Sequence, residues 1–178
     1  MLMFFYEQGA FAAENRPFNI VVTSDEIKHG VELYKQGKWE EAEAVFRAAL
    51  EKEPEREDLK VLIGSSIGSR AFGAYGKKEY KVARELFLEA LKWDSNPEFI
   101  LSLTVIYVKE EKFEEAGRYF DKLSRDNPKR GKLYRDISRS LGKAFLKDGD
   151  KERGRRYLEI ALEYDPDDEE VKKLLVEN

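Results

Sequence analysis

The chain has 178 residues, 42% of them apolar and 38% charged, with no cysteine, one histidine and a net charge of −4. That length favours one domain, and the missing cysteines exclude a disulfide framework, a thiolate metal site and a cysteine nucleophile. A single histidine leaves little for zinc or haem, while the excess of Glu and Lys over Cys, Met, Asn and Gln fits a thermophile's protein. In chain order, residues 1–22 read first as an apolar N-terminal segment and an extended connector. The opening MLMFFYEQGAFAA is too short to span a bilayer and is interrupted by Glu7 and Gln8. Ala10-Phe11-Ala12 resembles a signal-peptidase site, but no Lys or Arg precedes Arg16. An ordered structural segment is therefore preferred to a signal remnant, and the expected location is cytoplasmic. A periplasmic or membrane-associated protein is the alternative if residues 1–12 are such a remnant. From Arg16 to Val22 the chain reads as extended, because Pro17 disfavours helix before it and the β-branched run disfavours helix after it.

Beyond the connector, Thr23-Ser24-Asp25-Glu26 reads as a capping box opening a helix. One pattern then recurs four times: a basic residue and turn, an aromatic, E-E-A, an apolar pair, and A-L. Its first copy is Lys35-Gln36-Gly37-Lys38-Trp39-Glu40-Glu41-Ala42, then Val45-Phe46, Ala49-Leu50 and Pro54. The second is Lys78-Glu79-Tyr80-Lys81-Val82-Ala83, then Phe87, Ala90-Leu91 and Trp93-Asp94. The third is Glu111-Lys112-Phe113-Glu114-Glu115-Ala116, then Tyr119-Phe120, Leu123 and Pro128. The fourth runs from Lys147 through Gly149 to Gly154, then Tyr157-Leu158, Ala161-Leu162 and Asp165-Pro166. Asp167-Asp168-Glu169-Glu170 finally places acids at the start of a last helix, whose Val171, Leu174 and Leu175 form one apolar stripe.

These residues resemble the tetratricopeptide-repeat family, whose unit is a helix–turn–helix of about 34 residues. The family pattern asks for a small residue in the first helix, supplied here by Gly30, Ala71, Thr104 and Gly142. It asks for another early in the second helix, supplied by Ala42, Ala83, Ala116 and Gly154. A proline closes the unit at positions 54, 128 and 166, with Ser95 in the second unit. The resemblance implies an all-α fold, a right-handed α–α superhelix of about four repeats plus a C-terminal capping helix. The expected repeats are 23–56, 57–96, 97–130 and 131–168, spanning residues 23–168, with the capping helix at 169–178.

Elementary physics points the same way. Small residues let two antiparallel helices approach, aromatics fill the space between them, and proline stops the second helix. No pair buries its apolar stripe alone, so pairs must stack. The second-helix small residues are separated by 41, 33 and 38 positions. The extra residues at 57–62 are expected to lengthen the third helix, and those around Gly131 to Tyr134 the seventh.

No catalytic constellation emerges, and no cofactor or metal is expected. The paired carboxylates Glu40/Glu41, Glu110/Glu111 and Glu114/Glu115 sit at helix starts and turns, where acids favour the dipole. His29 reads as a surface or packing residue. Gly64, Gly68, Gly73 and Gly76 recur at helical spacing and read as close helix contacts.

Two features suggest binding. The resemblance implies that first helices line a concave groove, and the register places Ile27, Val31, Tyr34, Phe72, Tyr75, Leu101, Val105 and Val108 there. The Lys and Asn with which chaperone-cofactor members hold a carboxylate tail are replaced by Ile27 and Val31, which argues against that clamp. The other feature is a basic island: residues 118–156 carry +8, against −6 in residues 1–117 and −6 in residues 157–178. Within it Arg135, Arg139, Lys143 and Lys147 recur every four residues, as an expected contact for an anionic partner. Compensation by the acidic C-terminal end is the competing account.

The leading expectation is thus a non-catalytic adaptor binding a peptide or amphipathic helix of another protein in an apolar groove with a basic far end. The alternative is an anion-directed module for RNA or an acidic membrane surface through island 118–156. Nucleic acid is disfavoured, because the island has few aromatics for stacking and the chain is acidic. Leu2, Phe4, Phe5, Tyr6 and Phe11 are too apolar to lie exposed without risking association. Residues 1–13 are therefore expected to dock: in their own groove, in that of a second copy as a homodimer, or over Gly30 and Leu33.

Overall fold

The computed structural model describes residues 24–123 and 131–177. The described residues form nine helices and no strand. They are α1 (Asp25–Lys35), α2 (Trp39–Lys52), α3 (Glu57–Gly76), α4 (Tyr80–Ala90) and α5 (Pro97–Lys109). After these come α6 (Phe113–Phe120), α7 (Gly131–Lys147), α8 (Lys151–Tyr164) and α9 (Glu169–Glu177). The chain divides into two compact units, the first ending at Ile100 and the second beginning at Leu101, so α5 contributes to both.

The small residues explain why the helices pair. Gly30, Ala71, Thr104 and Gly142 are all buried, as are Ala42, Ala83, Ala116 and Gly154. The closest approach is between α7 and α8. A Cβ on Gly142 would lie 2.7 Å from Leu158 and 3.0 Å from the carbonyl oxygen of Gly154. Glycine is used there because no side chain fits between the two backbones.

Within each pair the chain turns through one left-handed residue, at Gly37 (φ 78°), Lys78 (φ 63°), Glu111 (φ 56°) and Gly149 (φ 85°). All four stand two positions before the second helix begins. Two repeats fill this site with glycine. The other two carry a side chain in a conformation that disfavours it.

Helix lengths follow the irregular spacing. Residues 57–62 are helical and extend α3 to 20 residues, and α7 reaches 17, against 11 in α1 and 13 in α5. The start of α1 differs from expectation. Ser24 is the N-cap and its hydroxyl accepts a hydrogen bond from the Ile27 N–H at 3.3 Å. No reciprocal Glu completes a capping box, because the third helical residue is Ile27 rather than an acid.

In the first unit Phe46, Phe87 and Phe99 are buried, and Phe72 meets Phe87 edge-on with ring centroids 4.9 Å apart. In the second unit Phe120 packs against Tyr134 and Tyr157, and Phe145 stacks on Tyr157 at 5.5 Å. Val171 of α9 is buried with Leu158 and Ala161, and Leu174 and Leu175 pack on the same cluster. The last helix thus covers apolar surface of α8, the role its stripe foretold.

Candidate protein-binding site

In the first unit α1 and α3 stand side by side, tied by a 2.9 Å hydrogen bond between the Tyr34 hydroxyl and Ser69 Oγ. Burial pushes the Tyr34 hydroxyl above its ordinary pKa, and the bond to Ser69 opposes that only in part. Val31 lies one turn before Tyr34 on α1, and Phe72 one turn after Ser69 on α3. Val31, Tyr34, Phe72 and Tyr75 are all half-buried. They gather apolar surface that keeps partial access to solvent. Tyr75 meets Tyr80 edge-on at 5.5 Å, which fixes its ring.

The remaining expected groove residues divide. Val108 on α5 is half-buried, but Ile27 is fully buried and Leu101 and Val105 are 2% and 8% exposed. These three are core side chains rather than an accessible wall. Ile27 and Leu101 occupy the repeat position that Gly68 holds on α3, where a Cβ would lie 2.3 Å from the Phe99 ring. That position points into packing. Of the expected stripe, Val31, Tyr34, Phe72, Tyr75 and Val108 keep partial exposure.

The basic row lies on α7 as its spacing requires, but its charges are matched within the second unit. Arg135 donates from Nε and Nη2 to Asp136 and from Nη1 to Asp165 at 3.0 Å. Arg139 donates to Asp168 at 3.1 Å and lies 3.8 Å from Glu170. Lys143 donates to the same Glu170. Asp168 also accepts the Val171 N–H and so caps α9. Burial opposes its ionisation, yet that bond, the Glu170 N–H and Arg139 together hold its carboxyl below the ordinary range. Lys147 is exposed and has no ion pair among the described residues. The expected free cationic row is thus a compensated one. Two of its members, Arg139 and Lys143, reach the acids at the start of α9.

Two further cations of the island, Arg153 and Arg156, are matched too. Arg153 forks onto Glu114 at 2.7 and 2.8 Å, also bonds Asp150, and lies over the Phe145 ring at 4.1 Å. Arg156 and the Tyr157 hydroxyl both donate to Asp121, at 2.7 and 3.1 Å. Burial and the charge of Asp121 push the Tyr157 hydroxyl up to about 12. Sequence reading missed these pairs, because partners 35 to 39 positions apart leave no local signal.

Among the described residues no group of three or more His, Asp or Glu is arranged to hold a metal ion. No described helix is long and apolar enough to cross a membrane. The acidic pairs Glu40/Glu41 and Glu114/Glu115 stand in the first turns of α2 and α6. Expectations concerning residues 1–22 and Pro128 fall outside the described residues.

A family model described as tetratricopeptide repeat matches residues 27–66. No curated protein matches the chain. Among solved structures, the pilF protein of Pseudomonas aeruginosa aligns at 22% identity and a TM-score of 0.43. That alignment covers 85% of this chain and 65% of that one, so the chain spans about two thirds of its length. YrrB, whose structure is described as a TPR protein with an unusual peptide-binding site, aligns at 17% identity and a TM-score of 0.39. It covers 89% of this chain and 97% of that one. A thermophilic TPR protein of Thermus thermophilus aligns at 15% identity and a TM-score of 0.37, covering 85% and 96%. The matched repeat opens the series, and the same buried small residues and left-handed turn return in three further helix pairs. Residues 27–66 thus match the tetratricopeptide-repeat family, and the all-helical fold is that of a chain of such helix pairs.

Proposed function

We propose that the chain is a non-catalytic protein-interaction adaptor whose first unit receives an apolar peptide or helix on the face formed by α1 and α3. The tetratricopeptide-repeat match over residues 27–66 supports the coarse role, since such repeats serve as protein-binding scaffolds. The observation that carries the finer reading is that Val31, Tyr34, Phe72 and Tyr75, four large side chains, are half-buried on two helices that the Tyr34–Ser69 bond joins. Burying such surface contributes about 25 cal/mol per Å² before the costs of association. Aromatic side chains of this kind dominate binding energy at protein interfaces.

The test is capture of a partner by the intact chain, followed by two double variants. Val31→Asp with Tyr75→Asp is expected to weaken binding at least about a hundredfold, as loss of a buried anchor does. Arg139→Glu with Lys143→Glu is expected to leave the same partner bound. Retention by the first and loss by the second would transfer the site to α7. The anion-directed alternative has only Lys147 as an uncompensated cation of the row among the described residues. It is therefore not carried further.

A further inference from the structure

The last helix of the second unit is held differently from its neighbours. α7 has six buried residues and α8 has five, but α9, nine residues long, has only Val171. Leu174 and Leu175 are half-buried, and Val176 is 87% exposed. So short a segment does not stay helical alone in water, and α9 depends on what it touches. Cations hold both of its ends. At the start, Arg139 of α7 donates to Asp168 at 3.1 Å, and Lys143 donates to Glu170. At the end, Arg155 of α8 donates from Nη1 to the Leu175 carbonyl oxygen at 2.7 Å, filling an acceptor that a helix terminus leaves open. By contrast, α7 and α8 need no help from α9. They meet through Gly142 and Gly154, where a Cβ on Gly142 would lie 3.0 Å from the Gly154 carbonyl oxygen.

We infer that α9 is a salt-operated lid, which opens as a unit while α7 and α8 stay folded. The inference concerns the second unit and goes beyond the binding role proposed for the first. Each side of the contact repels itself when the two are apart. Asp167, Asp168, Glu169 and Glu170 are successive acids, and Arg135, Arg139, Lys143 and Lys147 recur every four residues. Closure sets the two groups against each other. Added salt weakens that attraction and also softens the repulsion that opening restores, so both changes favour the open form. The hinge lies at Pro166 and Asp167, which are exposed. They stand between Asp165, tied to Arg135, and Asp168, tied to Arg139. Opening uncovers Leu158 and Ala161 beside Leu146 and Leu162 and releases Arg139 and Lys143 from the acids of α9. The second unit thus shows an aliphatic face with free cations only while its last helix is away.

The chain has no cysteine, so Val171→Cys supplies its only thiol with little change in volume. Reaction with a water-soluble maleimide then reports opening of α9, and Ile137→Cys, buried in α7, reports unfolding of the unit. Raising sodium chloride from about 0.05 to 1 M should speed labelling at position 171 about threefold or more and leave position 137 unchanged. Lys143→Glu should speed labelling at 171 at low salt, and adding Glu170→Lys should restore protection. Labelling at 171 that ignores salt would overturn the inference, since α9 would then be an ordinary frayed end. So would labelling that rises only together with that at 137, since α9 would then be a fixed part of the unit. Hydrogen exchange in the unaltered chain decides the matter even if a cysteine variant fails to fold. Salt should speed exchange of the α9 amides and not of the α7 amides, and an equal response of the two helices would overturn the inference. Neither measurement needs a partner, so failure here leaves the adaptor reading standing.

Discussion

Two long helices, α3 with 20 residues and α7 with 17, give the same repeat positions opposite treatments. On α3 the positions hold Ser65, Gly68, Ser69 and Phe72, which are small or aromatic and buried or half-buried. On α7 they hold Asp136, Arg139, Ser140 and Lys143, all partly exposed, with the charged ones engaged in ion pairs. The difference teaches that the repeat constrains only the positions facing its own partner helix. Ala71 and Gly142, one on each helix, are buried alike. Positions away from the partner are free to specialise, towards apolar contact on α3 and towards holding α9 on α7.

The largest expected effect tests the shared part of that comparison. Gly30→Ala on α1 and Gly142→Ala on α7, the same repeat position, both place a methyl group where there is no room, at 2.6 Å from Phe46 and 2.7 Å from Leu158. Each should cost about 1–3 kcal/mol in denaturant melts. Equal cost would show that the packing positions are equivalent although the outer faces differ.

A smaller effect tests what the α7 row is for. Asp168→Ala removes the α9 cap and a partner of Arg139, and should cost about 0.5–2 kcal/mol. Asp168→Asn keeps the cap and should recover much of that loss. Neither should alter capture of a partner by the first unit. If capture fell, the row would belong to the site rather than to the fold.

Alkaline pH separates the units in another way. Tyr157 in the second unit has its hydroxyl pKa raised to about 12 from an ordinary value of 10.0. A raised pKa favours the protonated form in the folded state. Its contribution is therefore complete below pH 10.0 and is lost as pH rises from there through about 12. Melting temperature should fall across that window, and Tyr157→Phe should remove part of the fall. Loss of the Asp121 bond would lower stability of that variant at neutral pH as well.

The smallest effects lie in the turns. Lys78→Gly in the first unit and Glu111→Gly in the second should each raise stability by up to about 1 kcal/mol, by relieving a left-handed backbone. Gly37→Ala should lose about as much.

Much of this was legible in the residues themselves. The recurring small positions announced which faces pack, because close helix approach admits nothing larger. The inserted 57–62 announced a longer α3, because it continues a helical pattern without a breaker. The accessible face was harder to read. Residues one turn apart share a helix face, so periodicity alone does not say which of them a neighbouring helix covers, and Ile27, Leu101 and Val105 are buried where Val31, Tyr34 and Val108 are half-buried. The basic row was visible as a charge pattern, but its partners Asp165, Asp168 and Glu170 are set by tertiary packing, 27 to 30 positions away. A list of cations cannot say whether they are matched.

The central claim is that binding is carried by the apolar face of α1 and α3 and not by charge. It is tested most directly by the salt dependence of partner affinity in the intact chain. Raising salt from about 0.05 to 0.2 M should change affinity by less than about threefold, because apolar burial releases no counterions. A fall of about a hundredfold or more over that range, abolished by Arg139→Glu with Lys143→Glu, would contradict the account and place the site on the basic row.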